Sequence, residues 1–316
     1  YGLGFTLGFL NKHSKIYLGY SPEYKDHKNL DDRDDFIQNA SLNAEWMPSK
    51  KSNIDANIIY SSNDADETGE SWTNSARISG DYKMARNTDL RFSQLYTRSF
   101  DQQVRTGDYV EHDENDTSLG VTHKFGTNNR AGLDFTYQFD DYKNSDADEY
   151  DEYSPSGFLT YWFTPKHGID SRLSFEKREF NNSDNDIDSY TGYIRYLKKY
   201  SKHLTGFLKY RHSYSERESG DHHVFHPSFG AEWQITEDSG ISVGLGALIS
   251  EWDNDAEDDV TPFLEIDAYK NYDFSRRGTL SITGASGYDE SGEDAASLGY
   301  TIYYKAGAQL SYQLHR

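Results

Sequence analysis

The sequence predicts an all-β fold: an antiparallel, up-and-down transmembrane β-barrel of 16–18 strands, with 18 preferred. Three observations predict it. In residues 131–139, Ala131, Leu133, Phe135, Tyr137 and Phe139 fall on one face of a strand, and Gly132, Asp134, Thr136 and Gln138 on the other. That two-residue beat recurs along the chain in segments of roughly ten residues, the length a tilted strand needs to cross a bilayer. The segments are joined alternately by short turns and by long, acidic loops.

Taken in order, strands are expected over 2–10, 15–24, 37–47, 53–62, 73–83, 88–100, 117–126, 129–141, 156–164, 169–180, 188–198, 203–215, 226–236, 240–251, 261–272, 278–288 and 298–314. The later strands show the alternation most cleanly. Phe229, Ala231, Trp233 and Ile235 oppose Ser228, Gly230, Glu232 and Gln234. Ile241, Val243, Leu245, Ala247 and Ile249 oppose Ser242, Gly244 and Gly246. Ile302, Tyr304, Ala306, Ala308, Leu310 and Tyr312 oppose Thr301, Tyr303, Lys305, Gly307, Gln309 and Ser311. Leu133, Phe135, Leu245 and Ile302 are therefore expected to face hydrocarbon. The hairpins run as one meander, so residues 1–316 read as a single barrel domain.

Short turns such as Pro48-Ser49-Lys50-Lys51, Gly126-Thr127-Asn128-Asn129 and Pro165-Lys166-His167-Gly168 are mostly basic. The long connections, at about 25–36, 62–72, 101–116, 141–155, 181–187, 216–225, 252–260 and 289–297, hold most of the acids. Short turns face the periplasm and long loops the outside in outer-membrane barrels, which sets the expected orientation. Seventeen strands would be odd for a single bacterial chain, so an eighteenth is expected before Tyr1, with sixteen as the competing count. The absence of an initiating Met or a secretory h-region points to a mature or trimmed form.

Composition fits the same fold. Only 35% of the 316 residues are hydrophobic and the mean hydropathy is −0.90, values that would suit disorder were 15% of residues not aromatic, 26 of them Tyr. A barrel resolves the conflict, because its outer wall needs apolar residues only at alternate positions. No stretch is long and apolar enough for a membrane-spanning helix. There is no cysteine, hence no disulfide, thiol nucleophile or haem attachment motif. The net charge of −21 disfavours nucleic acid as a partner. No cofactor is expected.

The unit Asn39-Ala40-Ser41-Leu42-Asn43-Ala44-Glu45-Trp46-Met47-Pro48-Ser49-Lys50 recurs loosely at Leu159–Gly168 and Phe229–Thr236. With Leu18-Gly19-Tyr20-Ser21-Pro22-Glu23-Tyr24, these units resemble the β-barrel porin 2 family. That resemblance implies an outer-membrane barrel, some members being encoded with exopolysaccharide clusters, and carries no catalytic motif.

Lumen-facing candidates follow from strand parity: Arg77, Asp81, Arg91, Asp134, Arg172, Glu176, Arg178, Arg195, Lys209, Arg211, Glu232, Glu265, Asp267 and Lys305. Their signs nearly balance, which leaves the net acidity to the rim. Phe207, Tyr269 and Tyr303 also point inward, where sugars stack on aromatics. Tyr137, Tyr161, Trp46, Trp233, Tyr304 and Tyr312 read as girdle residues.

Asp146, Asp148, Glu149, Asp151 and Glu152 form a candidate Ca²⁺ cluster, weighed against a solvated acidic rim. The cluster Asp253, Asp255, Glu257, Asp258 and Asp259 has the same two readings. His222, His223 and His226, near Asp221, could ligate a transition metal but read as loop residues; His112 beside Glu111 and Asp113 is a weaker candidate. No Gly-x-Ser-x-Gly elbow appears, and His123 and His212 fall on the lipid-facing register, so an enzyme is not expected.

Three functions remain open for a Gram-negative outer-membrane barrel embedded among lipid and lipopolysaccharide. One is a pore or export channel, for a solute or for an exopolysaccharide handed over by a periplasmic export partner. The others are a structural sheath around a multi-haem cytochrome and an adhesion protein acting through acidic loops.

Overall fold

The structure, a computed structural model, describes residues 4–25, 35–65, 69–102, 109–143, 149–181, 186–216, 220–253, 259–275, 278–289 and 301–312. Hydrocarbon offers no partner to a backbone N–H or C=O, so a chain that crosses it in strands must pair every strand. The described residues hold seventeen strands and no helix. They are β1 (Phe5–Leu10), β2 (Ser14–Lys25), β3 (Asp35–Ser49), β4 (Ser52–Ala65), β5 (Gly69–Ala85), β6 (Thr88–Gln102), β7 (Tyr109–Phe125), β8 (Asn129–Lys143), β9 (Tyr150–Trp162), β10 (His167–Phe180), β11 (Ile187–Lys199), β12 (Leu204–Glu216), β13 (His222–Thr236), β14 (Ser239–Trp252), β15 (Asp259–Ser275), β16 (Gly278–Asp289) and β17 (Thr301–Tyr312). All belong to one sheet. Consecutive strands pair antiparallel from β1 to β7 and from β11 to β17. This is the up-and-down fold of a transmembrane β-barrel. Its strands group into two compact units, one of residues 1–125, 132–156 and 176–186, the other of residues 126–131, 157–175 and 187–316.

Directly opposed residues in an antiparallel pair share a face, so the register carries one face from strand to strand. In the first unit Leu7 opposes Leu18, Leu18 opposes Leu42, and Leu42 opposes Ile58. In the second, Leu208 opposes Phe229, Phe229 opposes Leu245, and Leu245 opposes Leu264. These rows are solvent-open in the isolated chain, with Leu7 at 63% and Leu208 at 61% exposure. So large an exposed apolar surface would aggregate in water and is at home only in lipid. Trp46 and Trp233 stand on this face near the turns at 50–51 and 237–238, where an interfacial girdle is expected.

The opposite face is polar and, within each unit, concave. Neighbouring strands lie about 4.8 Å apart, so a side chain meets one two or three strands away only where the sheet bends toward it. In the first unit Arg91 on β6 reaches Asp134 on β8 at 3.5 Å. In the second, Arg195 on β11 pairs with Glu232 on β13, and Lys209 on β12 with Glu265 on β15 at 2.9 Å. The turn at 126–128 begins with Gly126 at φ +69°, a left-handed conformation that glycine adopts without a Cβ clash.

The strands run further than hydropathy indicates. β7 was expected from residue 117 and starts at Tyr109; β9, expected from 156, starts at Tyr150; β13, expected from 226, starts at His222. Polar cross-strand pairs replace hydrophobic ones there. Arg98 opposes Asp113 in the register, lies 3.5 Å from it and pairs with Glu111; Lys143 reaches Asp113 at 3.1 Å; Tyr96 Oη donates to Asp113 at 2.8 Å. The acidic stretch 111–116, expected as loop, is thus strand.

A second correction concerns Ile302. It packs with Tyr288 against the buried cluster of Val224, Leu248 and Phe263 instead of facing lipid. The β15–β16 register ends at Asp267 opposite Ala285, and the Ser286 hydroxyl then turns onto the β15 backbone. It accepts from Ile266 N–H at 2.7 Å and donates to the Leu264 carbonyl at 2.9 Å. Tyr288 and Ile302, directly opposed in the register, are carried together into the cluster beyond that break.

Phe135 and Thr136 are adjacent on β8 and point to opposite faces. Phe135→Arg should destabilise the chain in lipid vesicles by about 2–4 kcal/mol, as charge near the bilayer midplane does. Thr136→Arg should unfold at nearly the wild-type urea concentration. Equal midpoints for the two would show that the faces are assigned wrongly.

Candidate functional site: the concave polar face

Strand parity puts chemistry on this face, and the structure places Arg77, Asp81, Arg91, Asp134, Arg172, Glu176, Arg178, Arg195, Lys209, Arg211, Glu232, Glu265, Asp267 and Lys305 all on the register opposite the apolar belt. They are not scattered charges. In the first unit Arg178 grips the buried carboxylate of Glu152 at 2.7 Å, lies 3.6 Å from Glu176, and covers the Tyr150 ring at 4.8 Å. Arg91 leans toward Asp134 across β7, over Gly120, where a side chain would collide with the Asp134 carboxylate.

In the second unit the pairs form a ladder. Asp170 accepts from Thr160 at 2.8 Å, from Tyr193 at 3.2 Å and from Arg195 at 3.2 Å. Arg195 also holds Glu232 and lies 5.6 Å over the Phe207 ring. Phe207 in turn lies across Gly230 and Gly244, and a Cβ at Gly230 would strike both its ring and the Val243 carbonyl. Next along β12, Lys209 donates to both oxygens of Glu265 at 2.9 Å. Lys305 caps the Tyr303 ring at 4.3 Å. Arg195, Lys209 and Lys305 each meet an opposite charge or an aromatic face, so this part of the wall offers paired donors and acceptors.

Above the ladder the concave face is filled. Val224 and Leu248 are 0% exposed and Phe263 packs with them. His226 joins them at 1% exposure, edge-on to Phe263 at 5.2 Å and to Tyr288 at 5.4 Å. Neither of its ring nitrogens has a hydrogen-bond partner. The Arg211 guanidinium lies 4.8 Å over Tyr288.

The sequence grouped His222, His223 and His226 as loop residues; β13 separates them by parity. His222 and His226 face the concave side, where His222 hydrogen-bonds Ser250 at 2.8 Å and stacks on Trp252. His223 faces the other side, meets His212 at 3.1 Å and stacks on Phe225. The five acids of the expected Ca²⁺ cluster are divided as well. Asp146 and Asp148 lie outside the described residues. Asp151 accepts from Tyr137 on the belt side at 2.6 Å, whereas Glu152 on the opposite face is held by Arg178, so the two cannot share an ion. Of the other acidic cluster, Asp255, Glu257 and Asp258 also lie outside the described residues.

His112 was paired by sequence with Glu111 and Asp113, which face the other way. Its Nε2 instead contacts Asp140 on β8 and lies 3.6 Å from Glu114, two residues along β7. Period-two spacing marks His112 and Glu114 as same-face residues; Asp140 needed the pairing of β7 with β8 in the sheet. Glu114 and Asp140 border a cavity of about 230 Å³ lined also by Thr97, Asp116, Gln138 and Tyr150.

No family model matches the chain, and no curated sequence does. Solved structures do. The siderophore receptor PirA from Acinetobacter baumannii is similar over 99% of this chain and 71% of its own, with a TM-score of 0.50 and 8% identity. The alcaligin outer-membrane receptor FauA from Bordetella pertussis covers 92% of this chain and 69% of its own, with a TM-score of 0.48 and 9% identity. A bacterial polysaccharide outer-membrane secretin covers 86% and 90%, with a TM-score of 0.44 and 15% identity. At such identities the likeness to PirA bears on the fold alone.

Lys209→Met should leave Glu265 partly buried and unpaired, at a cost of about 1–2 kcal/mol; access to water keeps this below the 3–5 kcal/mol or so of a fully buried pair. Lys209→Met combined with Glu265→Gln should recover part of the loss in urea titrations. An additive double mutant would show that the pair is not coupled. The apolar belt, the paired polar wall and the barrel fold together make this chain an integral outer-membrane β-barrel protein.

Proposed function

We propose that the protein is an outer-membrane channel for a neutral hydrophilic solute of the carbohydrate class, export of a polysaccharide being the form that the sequence resemblance to the β-barrel porin 2 family suggests. The observation that carries this reading is the ladder on the concave face. Arg195 between Asp170 and Glu232, and Lys209 on Glu265, neutralise all but one of the five charges, so the wall neither concentrates nor repels an ion strongly. Hydroxyl groups can still exchange hydrogen bonds with the pairs, while Phe207, Tyr269 and Tyr303 share that face and offer ring surface for the C–H faces of a sugar.

The filled stretch of Val224, His226, Leu248 and Phe263 acts as a restriction along this wall. It also stands against a sheath around a multi-haem protein, because a face covered by the chain's own side chains offers no docking surface there.

Refolded chain in planar bilayers should give small, poorly ion-selective conductance. Acidic connections should impose a weak cation preference at low salt that fades near 1 M, where the screening length falls to about 3 Å. Phe263→Ala together with Leu248→Ala should increase both conductance and the swelling rate of vesicles in neutral oligosaccharides. If neither the chain nor this variant passes ions or oligosaccharides, the channel reading is wrong. A salt-independent anion preference would instead show that unbalanced wall charge governs passage.

A further inference from the structure

We propose that His112, Glu114 and Asp140 form a binding site for one divalent transition-metal cation of the Zn²⁺ class on the concave face of β7 and β8. One ligand atom from each side chain lies within 4.8 Å of the other two, the spread of donors around a single ion. Two carboxylates and a neutral imidazole balance the charge of a dication, and imidazole selects a first-row transition metal over Ca²⁺ or Mg²⁺. The site lies outside the charge ladder and does not depend on what the channel carries.

Two independent features support it. The first is preorganisation: the Tyr142 ring stacks on His112 at 4.2 Å with 4° between planes, fixing the imidazole so that Nε2 points at the carboxylates. The second is the cavity of about 230 Å³, which Glu114 and Asp140 line and His112 does not. An ion held by the three would thus sit in the cavity wall with coordination positions open toward water or a solute, an arrangement distinct from a closed structural site. Asp116 and Gln138, where Gln138 Nε2 donates to Asp116 at 3.5 Å, border the same cavity. Glu111 and Asp113 belong to the Arg98 and Lys143 network on the other face and take no part.

The test is isothermal titration of Zn²⁺ into the full chain, refolded in detergent micelles and stripped with chelator, with Co²⁺ absorption as a second readout. Wild-type chain should bind one equivalent, and the Co²⁺ spectrum should report mixed nitrogen and oxygen ligation. His112→Gln and Glu114→Gln should each weaken binding about tenfold or more, and His112→Gln should also change the Co²⁺ spectrum. Glu114 is 54% exposed on its side chain, so Glu114→Gln folds even if His112→Gln does not, and it then decides the outcome. Joint neutralisation of Asp146 and Asp148 should leave the affinity unchanged. Absence of a stoichiometric site in wild type would overturn the proposal. So would undiminished binding by Glu114→Gln, or loss of binding on neutralising Asp146 and Asp148.

Discussion

The lack of any hydrogen-bonding partner in hydrocarbon governs the rest of this structure. Because each strand must satisfy its backbone through its neighbours, the register cannot slip by one residue without moving charge into lipid. That constraint turns a local alternation into long rows such as Leu7, Leu18, Leu42 and Ile58. It equally fixes the other face, and so determines which charges can meet. Arg195 reaches Asp170 and Glu232 because β10, β11, β12 and β13 are neighbours in one sheet, not because the three are near in sequence.

Where a residue's partner lies on the same strand or follows from parity, the sequence made the arrangement legible. The belt residues Leu133, Phe135 and Leu245, the inward set of charges, and the lipid-facing positions of His123 and His212 are all read from period two. What parity cannot see is register and reach. His112 was grouped with its sequence neighbours Glu111 and Asp113, which parity alone should have sent to the opposite face, and Asp140 was invisible without the β7–β8 pairing. The acidic segment 111–116 looked like loop because hydropathy registers only apolar alternation. Arg98 and Lys143, far away in sequence, make it strand. Ile302 failed for another reason: the Ser286 hydroxyl engages the β15 backbone and breaks the phase that earlier residues had kept.

The histidines show how far environment outweighs residue type. His212 and His223 stack among aromatics on the belt side and hydrogen-bond each other. His222 is tied to Ser250 under Trp252. His226, four residues along the same strand, has no polar partner and acts as a flat apolar filler. Among the described histidines, only His112 has two carboxylates converging on one nitrogen. Proximity of histidines in a sequence window therefore says little about whether they share an environment, since a β-strand sends neighbours to opposite faces.

The long reach of Lys209 to Glu265 depends on residues that carry no chemistry. Lys209 opposes Ser228, Ser228 opposes Gly246, and Glu265 opposes Gly244. Every side chain between the two ions along that row is thus small or missing, which opens a trough across β13 and β14. Phe207 fills the trough on one side over Gly230 and Gly244, and His226 borders it on the other, beside Gly246. A large residue at Gly246 would meet the Pro227 carbonyl and the Ser228 side chain, and would stand where the Lys209 chain must pass. The small residues of β13 and β14 therefore set which charges pair and where the wall is filled. In the sequence they read only as polar-face spacers between apolar positions; in the structure they shape the concave surface that a solute would meet.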